Sequence, residues 1–208
     1  MTKTFNLETY TNFLIANGNR YSGVEASKAL NLVTRAPAHD SISRWLAEQS
    51  FTPNNLWTHV KTRVHKHSSL VVDDTVLDKR WSAENELAAF HWSGNAHDVV
   101  RGISLVNLLA THANDCIPVD YRVYEGATGN KNKNEHFLDM LTTAKKRGFE
   151  PDYVLADSWY SSLDNLKAIR KLGWKFVFGL KENRLINETQ GAYVSVSTLD
   201  WTKKQVRK

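Results

Sequence analysis

The chain has 208 residues, of which 41% are hydrophobic and 24% charged, and a formal net charge of +5. This length fits one large domain or one domain with a small appendage, and this composition excludes a wholly disordered chain. The single cysteine, Cys116, excludes an internal disulfide, and the N-terminal sequence lacks the apolar core of a secretory signal. No apolar run approaches the roughly 20 residues that span a bilayer. We therefore expect a cytoplasmic protein without a membrane segment.

The excess of positive charge lies at the two ends of the chain. Residues 1–67 carry eight Lys and Arg against four Asp and Glu, residues 68–200 carry fifteen against eighteen, and residues 201–208 carry four against none. A basic N-terminal part beside an acidic middle is typical of a protein that holds a polyanion with one part and gathers cations with the other. Uneven charge that serves only solubility would give the same distribution.

Residues 5–67 show helical periodicity interrupted by turn sequences. In the segment HDSISRWLAEQ we expect Asp40 or Ser41 to cap a helix that buries Ile42 and turns Arg44 outward. Short helices with tight turns and exposed cations are typical of helix-turn-helix modules that bind DNA. Any small helical bundle has the same pattern, so both interpretations stay open.

After residue 67 the spacing of apolar residues changes from that of helices to that of extended strands. We predict three strands, then a helix, a strand, a helix and a strand, in the segments SLVVDDT, VVRGISLVNLLATHAN, CIPVDYRVYEG, NEHFLDMLTTAKKRGFE, PDYVLADSWY, SSLDNLKAIRKLG and WKFVFGLKENR. Ser161 is expected to cap the second helix. Three strands that can pair antiparallel, followed by alternating helix and strand, predict an α/β fold with a mixed sheet and helices on its faces.

Two of the predicted strands end in aspartate. The first ends in Asp73 and Asp74, and the fourth ends in Asp157. If these strands are neighbours, Asp74 and Asp157 project into one crevice at the carboxyl ends of the strands. Carboxylate oxygens bind hard cations such as Mg²⁺, and two such ions can activate a water and stabilise a leaving oxygen in phosphodiester cleavage. Aspartate at strand ends is also common turn chemistry, so the pattern alone leaves both interpretations open.

The sequence resembles insertion-sequence transposases of the DDE type over most of residues 38–187. The stretches that carry the resemblance are SISRWL, VVDDTVLDK, HDVVRGISLVNLL, IPVDYRVYEGATGNKNKNEHFLDML and PDYVLADSWYSSLDNLKAIRKLGWKFVFGLKENR. The resemblance implies a ribonuclease-H-like catalytic domain, here residues 68–208, after a helical and possibly DNA-binding region at residues 1–67. It also implies that Asp74 and Asp157 are catalytic and bind Mg²⁺ or Mn²⁺. Asp73 is the alternative to Asp74, and its side chain should point to the opposite face of the strand.

Members of this family have a third carboxylate, a Glu on a later helix within a Tyr, Arg, Glu, Lys pattern. The acids after Asp157 lack this context, because they lie at a helix cap, in a loop or in turn-like sequence; they are Asp164, Glu182, Glu188 and Asp200. We therefore expect a C-terminally truncated transposase that cleaves DNA poorly. We also expect an exposed sheet edge around KFVFGLK that favours association with a second copy, as a homodimer.

Several other side chains are candidates for contacts with duplex DNA at the transposon ends and the target. Cations near the predicted strand ends and on the N-terminal helices could hold phosphates, although solvated loop charges look the same in sequence; they are Arg44, Lys79, Arg80, Lys181 and Arg184. We favour a loop role for His91, and a buried ring over base stacking for Trp159.

The function that the resemblance implies is metal-dependent cleavage of transposon ends and transfer of the freed 3′-hydroxyl to target DNA. Such a protein would associate with the nucleoid in the cytoplasm. Two alternatives stay open. One is a catalytically silent DNA-binding remnant that occupies transposon ends through residues 1–67. The other is the unfolded or aggregating product of a decayed gene.

Overall fold

The computed structural model describes residues 5–18, 21–32, 36–81, 85–126, 129–187 and 191–199. The chain divides into two compact units, Met1–Phe51 and Thr52–Lys208. Within the described residues, no helix has both the length and the apolar character needed to cross a membrane.

The first unit consists of three short helices, Leu7–Ala16 (α1), Gly23–Asn31 (α2) and His39–Ala47 (α3). Each contributes an apolar side chain to a small common core, where Phe13, Ala26 and Ile42 are buried. The side chains of Asn6 and Ser22 cap α1 and α2 by accepting backbone N–H groups of the first turn. These helices agree with the helical pattern of the sequence.

Helix α3 begins at His39, two residues earlier than a cap at Asp40 and three residues earlier than a cap at Ser41 would allow. Its cap position is Ala38, which makes no capping hydrogen bond, so the prediction of Asp40 or Ser41 as the cap was wrong. Asp40 lies instead in the first turn, where a negative charge is favoured by the helix dipole. Ile42 is buried and Arg44 is exposed, as the periodicity predicted.

The helix Pro53–Val60 (α4) belongs to the second unit. The Thr52 side chain accepts the backbone N–H of Asn55, and the Asn55 side chain accepts the backbone N–H of Thr52, so the two form a capping box. Trp57 and Val60 pack against the main core of the second unit. The boundary that the sequence placed after residue 67 therefore differs from the contact boundary after residue 51.

A mixed six-stranded sheet forms the centre of the second unit. Its strands are Ser69–Asp78 (β1), Ala89–Ser93 (β2), Asp98–His112 (β3), Asp115–Tyr124 (β4), Val154–Ala156 (β5) and Phe176–Phe178 (β6). β1 pairs antiparallel with β3 and parallel with β5, and β6 extends the parallel side. β2 and β4 both pair antiparallel with β3. The predicted mixed α/β fold is confirmed. The predicted elements occur in the predicted order, but one further strand, β2, lies between the first two predicted strands.

Two helices, Lys133–Lys146 (α5) and Leu163–Lys171 (α6), connect β4 to β5 and β5 to β6. A separate hairpin, Leu185–Ile186 (β7) with Val194–Ser195 (β8), follows β6. The core between sheet and helices consists of apolar side chains from nearly every element, including Leu70, Val72, Val106, Leu108, Val119, Phe137, Met140, Leu141, Val154, Tyr160 and Ile169. This burial fixes which face of each strand points towards the helices.

The strand β2 was missed because its pattern is inverted. Phe90 and Trp92 are exposed, whereas His91 and Ser93 are buried. Sequence reasoning expects apolar side chains on the covered face and polar ones outside, so this segment did not resemble a strand. The inversion is relevant to the site below, because it turns a histidine inward.

Asp120 on β4 is a fully buried carboxylate paired with two arginines. Arg122 donates to its two oxygens at 2.6 and 3.1 Å. Arg147 directly follows α5. Its guanidinium lies 3.7 Å from the Asp120 carboxylate and donates to the carbonyl of Val119 at 2.7 Å. The Arg147 guanidinium also lies 4.9 Å from the centre of the Trp57 ring. The network therefore joins β4 to the end of α5 and to α4.

Replacing Asp120 with Ala should destabilise the protein by about 3 kcal/mol, because two partly buried guanidinium groups lose their counter-charge. Chemical denaturation of the full chain measures this. Asp139→Ala is the matched control, because it breaks an exposed pair with Lys131 and should cost less than about 1 kcal/mol. Equal effects of the two substitutions would contradict the account of the network.

Candidate active site

The site lies where β1 continues beyond its parallel neighbour β5. The pairing of β5 with β1 stops at Val72 opposite Ala156, whereas the pairing of β1 with β3 continues to Asp78. The carboxylates of Asp74 and Asp157 follow directly after this last parallel pair. The prediction that β1 ends at Asp74 was wrong, because β3 supports the strand for four more residues. The two aspartate-bearing strands are neighbours, which is the condition on which the shared crevice was predicted.

A cavity of about 630 Å³ opens where β1 continues beyond the end of β5, a feature called the β1–β5 step below. Its lining includes three carboxylates, one ammonium group and five aromatic or imidazole rings, from Asp73, Asp74, Asp157, Lys133, Phe90, His91, Trp92, Tyr124 and Trp159. The structure therefore brings Asp74 and Asp157 to one cavity.

Asp74 is held by two donors from different elements. Lys133, the first residue of α5, donates from Nζ to Oδ2 at 2.5 Å, and the Tyr160 hydroxyl donates to Oδ1 at 3.3 Å. Tyr160 is fully buried. Burial raises the pKa of Tyr160, and the negative charge of Asp74 raises it further, so the hydroxyl keeps its proton. Asp74 lies on the helix-covered face of β1 because it follows the buried Val72 by two residues.

Asp157 has a different local partner. Its Oδ1 accepts the backbone N–H of Trp159 at 2.9 Å and so caps the short 3₁₀ turn Ser158–Tyr160. This turn points Tyr160 into the core and leaves the Trp159 side chain 42% exposed at the cavity. The prediction of a buried ring for Trp159 was wrong. Stacking of a base on Trp159 stays a prediction.

Ser162, rather than Ser161, caps α6. The Ser162 hydroxyl accepts the backbone N–H of Asn165, whereas the Ser161 hydroxyl donates to the carbonyl of Ser158 in the preceding 3₁₀ turn. The prediction of Ser161 as the cap was wrong, because the intervening 3₁₀ turn shifts the start of the helix by one residue.

Asp73 is exposed, and its Oδ1 accepts the backbone N–H of Asp74 at 2.9 Å. The alternation of β1 places it on the opposite face from Asp74. Within the described part of the chain, no three acidic, histidine or cysteine side chains are grouped to hold a metal ion. Asp164 and Glu182 are exposed and do not line the cavity. Glu188 and Asp200 lie outside the described residues.

The residues at this cavity fit a single divalent ion. Carboxylate oxygens are the ligands that Mg²⁺ and Mn²⁺ prefer. The ammonium group of Lys133 already occupies a cation position on Asp74, so this carboxylate is oriented towards a positive charge. Asp74 and Asp157 are the residues that would hold the ion.

His91 is a further cavity residue, and its predicted role in a loop was wrong because it lies on β2. Its side chain is 7% exposed, and Nε2 has no hydrogen-bond partner among the described residues. Burial lowers the pKa of His91, the charge of Lys133 lowers it further, and the charge of Asp74 opposes this. The ring is therefore neutral at neutral pH.

The cations predicted near the site lie elsewhere. Lys79 and Arg80 follow the end of β1, and Arg80 pairs with Asp78 at 2.6 Å. At about 3.3 Å per strand residue, Lys79 lies roughly 16 Å along the chain from Asp74. Neither residue lines the cavity at Asp74.

The remaining predicted cations are also outside this cavity. Lys181 and Arg184 form a turn after β6, in which the N–H of Arg184 donates to the carbonyl of Lys181. Arg44 lies on α3 in the first unit. Contacts of these five cations with DNA stay predictions.

Two residues of the site, Lys133 and Tyr160, were missed by the sequence analysis. They contact Asp74 across separations of 59 and 86 residues. The buried strand ends gave a signal for the aspartates, whereas a lysine at the start of a helix and a tyrosine after a tryptophan gave none.

Comparisons with known proteins place the chain in a family. Residues 57–208 match a family model described as a transposase DDE domain. No curated protein matches the chain. Among solved structures, the chain is similar to the Drosophila P element transposase strand transfer complex, with 14% identity, a TM-score of 0.44 and coverage of 84% of this chain and 37% of that one.

It is also similar to a piggyBac transposase synaptic complex with hairpin DNA, with 15% identity, a TM-score of 0.43 and coverage of 85% and 38%. The chain thus spans less than two fifths of the length of either protein. The family match covers well over half of the chain, and its range contains Asp74 and Asp157. The chain belongs to the transposase DDE domain family.

Proposed function

We propose that the second unit is the catalytic domain of a DNA transposase that cleaves transposon ends in a divalent-metal-dependent reaction and joins the freed 3′-hydroxyl to target DNA. The observation that carries this proposal is that Asp74 and Asp157 lie at one cavity, where the ammonium group of Lys133 forms an ion pair with Asp74. Membership of the transposase DDE domain family supports the reaction class.

A bound Mg²⁺ or Mn²⁺ would supply an activated water and would offset the negative charge that develops on the leaving oxygen. Residues of the chain orient the two carboxylates that would hold the ion. Tyr160 and Lys133 orient Asp74, and the backbone N–H of Trp159 orients Asp157. The rings of Tyr124 and Trp159 line the cavity beside these carboxylates.

Among the described residues, no three acidic, histidine or cysteine side chains at this cavity are grouped to hold a metal ion, and Asp74 and Asp157 are the two carboxylates proposed as ligands. Two carboxylates can hold one ion, but a second ion would lack an anchoring ligand. We therefore propose that the 208-residue chain cleaves DNA slowly. The same observation favours the second candidate function, which is binding to transposon ends without cleavage.

Nicking of a supercoiled plasmid in Mn²⁺ tests the catalytic proposal. We expect slow nicking by the unsubstituted chain and a loss of about a hundredfold or more on Asp74→Asn or Asp157→Asn, because each change removes a charged ligand. Asp164→Asn is the control, since Asp164 is exposed on α6 away from the cavity. Appending a family segment that carries the Glu helix should raise the rate.

Two results would contradict this account. Nicking that survives Asp74→Asn would show that the metal binds elsewhere. Efficient nicking by the unsubstituted chain that is lost on Glu182→Gln or Glu188→Gln would show that the third ligand lies within these residues.

We also propose that the N-terminal helices bind duplex DNA through exposed cations such as Arg44. Fluorescence anisotropy of a labelled duplex should show that the logarithm of the affinity falls as the logarithm of the salt concentration rises. Arg44→Gln should reduce that slope by about one, because one phosphate contact is lost. Glu48→Gln, at the end of the same helix, is the control and should not weaken binding. Affinity that does not change with salt would contradict the proposal.

A further inference from the structure

Lys133 is the one lysine or arginine among the described residues that line the cavity. Its side chain is 16% exposed. The ammonium group lies 5.4 Å from the centre of the Tyr124 ring and 5.8 Å from the centre of the Trp159 ring. These two rings and Asp74 therefore surround a positive charge that is largely withdrawn from solvent.

The helix that carries Lys133 does not require a lysine there. Lys133 is the first residue of α5, where the helix dipole disfavours a cation. Asn132 and Glu135 already cap this helix end with a reciprocal pair of hydrogen bonds. The position of Lys133 is therefore explained by the cavity and by Asp74, not by the stability of α5.

A metal ion on Asp74 would change the surroundings of Lys133. A divalent cation at Oδ2 would repel an ammonium group bonded to the same oxygen at 2.5 Å. The other cavity carboxylates offer no clear replacement, because Asp157 is the second proposed ligand and Asp73 is exposed and already accepts the backbone N–H of Asp74. The four-carbon side chain of Lys133 can turn its three N–H donors towards another anion in the cavity.

His91 supplies a second unused group at the same place. Its Nε2 is buried without a partner in the described structure, which is unfavourable unless a ligand satisfies it. Lys133, Asp74 and His91 all line the same cavity. A neutral imidazole with a proton on Nε2 can donate to a phosphate oxygen.

We propose that Lys133 and His91 form a phosphate-binding subsite beside the metal site. Lys133 neutralises Asp74 before a metal ion arrives, then moves to a non-bridging oxygen of a DNA phosphate when the metal ion occupies Asp74. Lys133 is thus a positioning residue that exchanges one anionic partner for another. The inference rests on the proposed function, because it requires a metal ion at Asp74.

The first arm of the test measures Mn²⁺ binding without DNA, by electron paramagnetic resonance of free Mn²⁺. Lys133→Met should bind Mn²⁺ about tenfold more tightly, because the competing cation is gone. Lys133→Arg keeps the charge and should bind like the unsubstituted chain. Lys131→Met, which removes a lysine two residues away that pairs with Asp139, should also leave the affinity unchanged.

The second arm measures binding of a fluorescein-labelled DNA duplex, first in EDTA and then in Ca²⁺, a hard cation with the same preference for oxygen ligands. Ca²⁺ should raise the affinity of the unsubstituted chain more than that of Lys133→Met. The salt slope in Ca²⁺ should be smaller by about one for Lys133→Met. His91→Phe should lower the affinity for DNA in Ca²⁺ and leave Mn²⁺ binding unchanged.

The outcomes separate the two proposals. If Asp74→Asn binds Mn²⁺ as the unsubstituted chain does, the proposed metal site is wrong. If Asp74→Asn loses Mn²⁺ binding while Lys133→Met binds Mn²⁺ no more tightly, Lys133 does not compete with the metal and only the exchange is overturned. If Lys133→Met and His91→Phe bind DNA in Ca²⁺ as the unsubstituted chain does, the phosphate subsite is overturned.

Discussion

The site depends on a difference in length between two adjacent parallel strands. β5 stops at Ala156, and β1 continues with support from β3 alone. Without that difference, the backbone of a longer β5 would cover the edge of β1 at Asp74, and no cavity would form. The alternation of β1 then decides which acid faces the helices. Leu70 and Val72 are buried against α5 and α6, so Asp74 shares their face.

Placing a carboxylate beside a packed core requires compensation, because a partly buried charge without a partner is unfavourable. At Asp74 the compensation is a lysine and a tyrosine hydroxyl. At Asp120, on the adjoining part of the sheet, it is a pair of arginines. The two sites differ in whether a bound ligand could displace the cation that pairs with the aspartate. Arg147 is fixed by the Val119 carbonyl and the Trp57 ring, whereas Lys133 is held through a flexible side chain in an open cavity.

Much of the fold could be predicted from the sequence, because its strands and helices have clear periods. Most of the elements and their order followed from buried runs and turn sequences, and the structure meets the condition that the strands that carry Asp74 and Asp157 are neighbours. The strand β2 could not be found, since its aromatic side chains face solvent and its polar ones face inward. Lys133 and Tyr160 could not be found either, because their roles come from contacts between distant segments.

The measurement that tests the central claim most directly is a crystal structure of the protein soaked in Mn²⁺, with the ion located by anomalous scattering. The account predicts a peak at the β1–β5 step within about 2.0–2.3 Å of an oxygen of Asp74 and an oxygen of Asp157, with Lys133 turned away from Asp74. A peak bound by neither aspartate, or a cavity without a peak while Lys133 stays on Asp74 at saturating Mn²⁺, would contradict it.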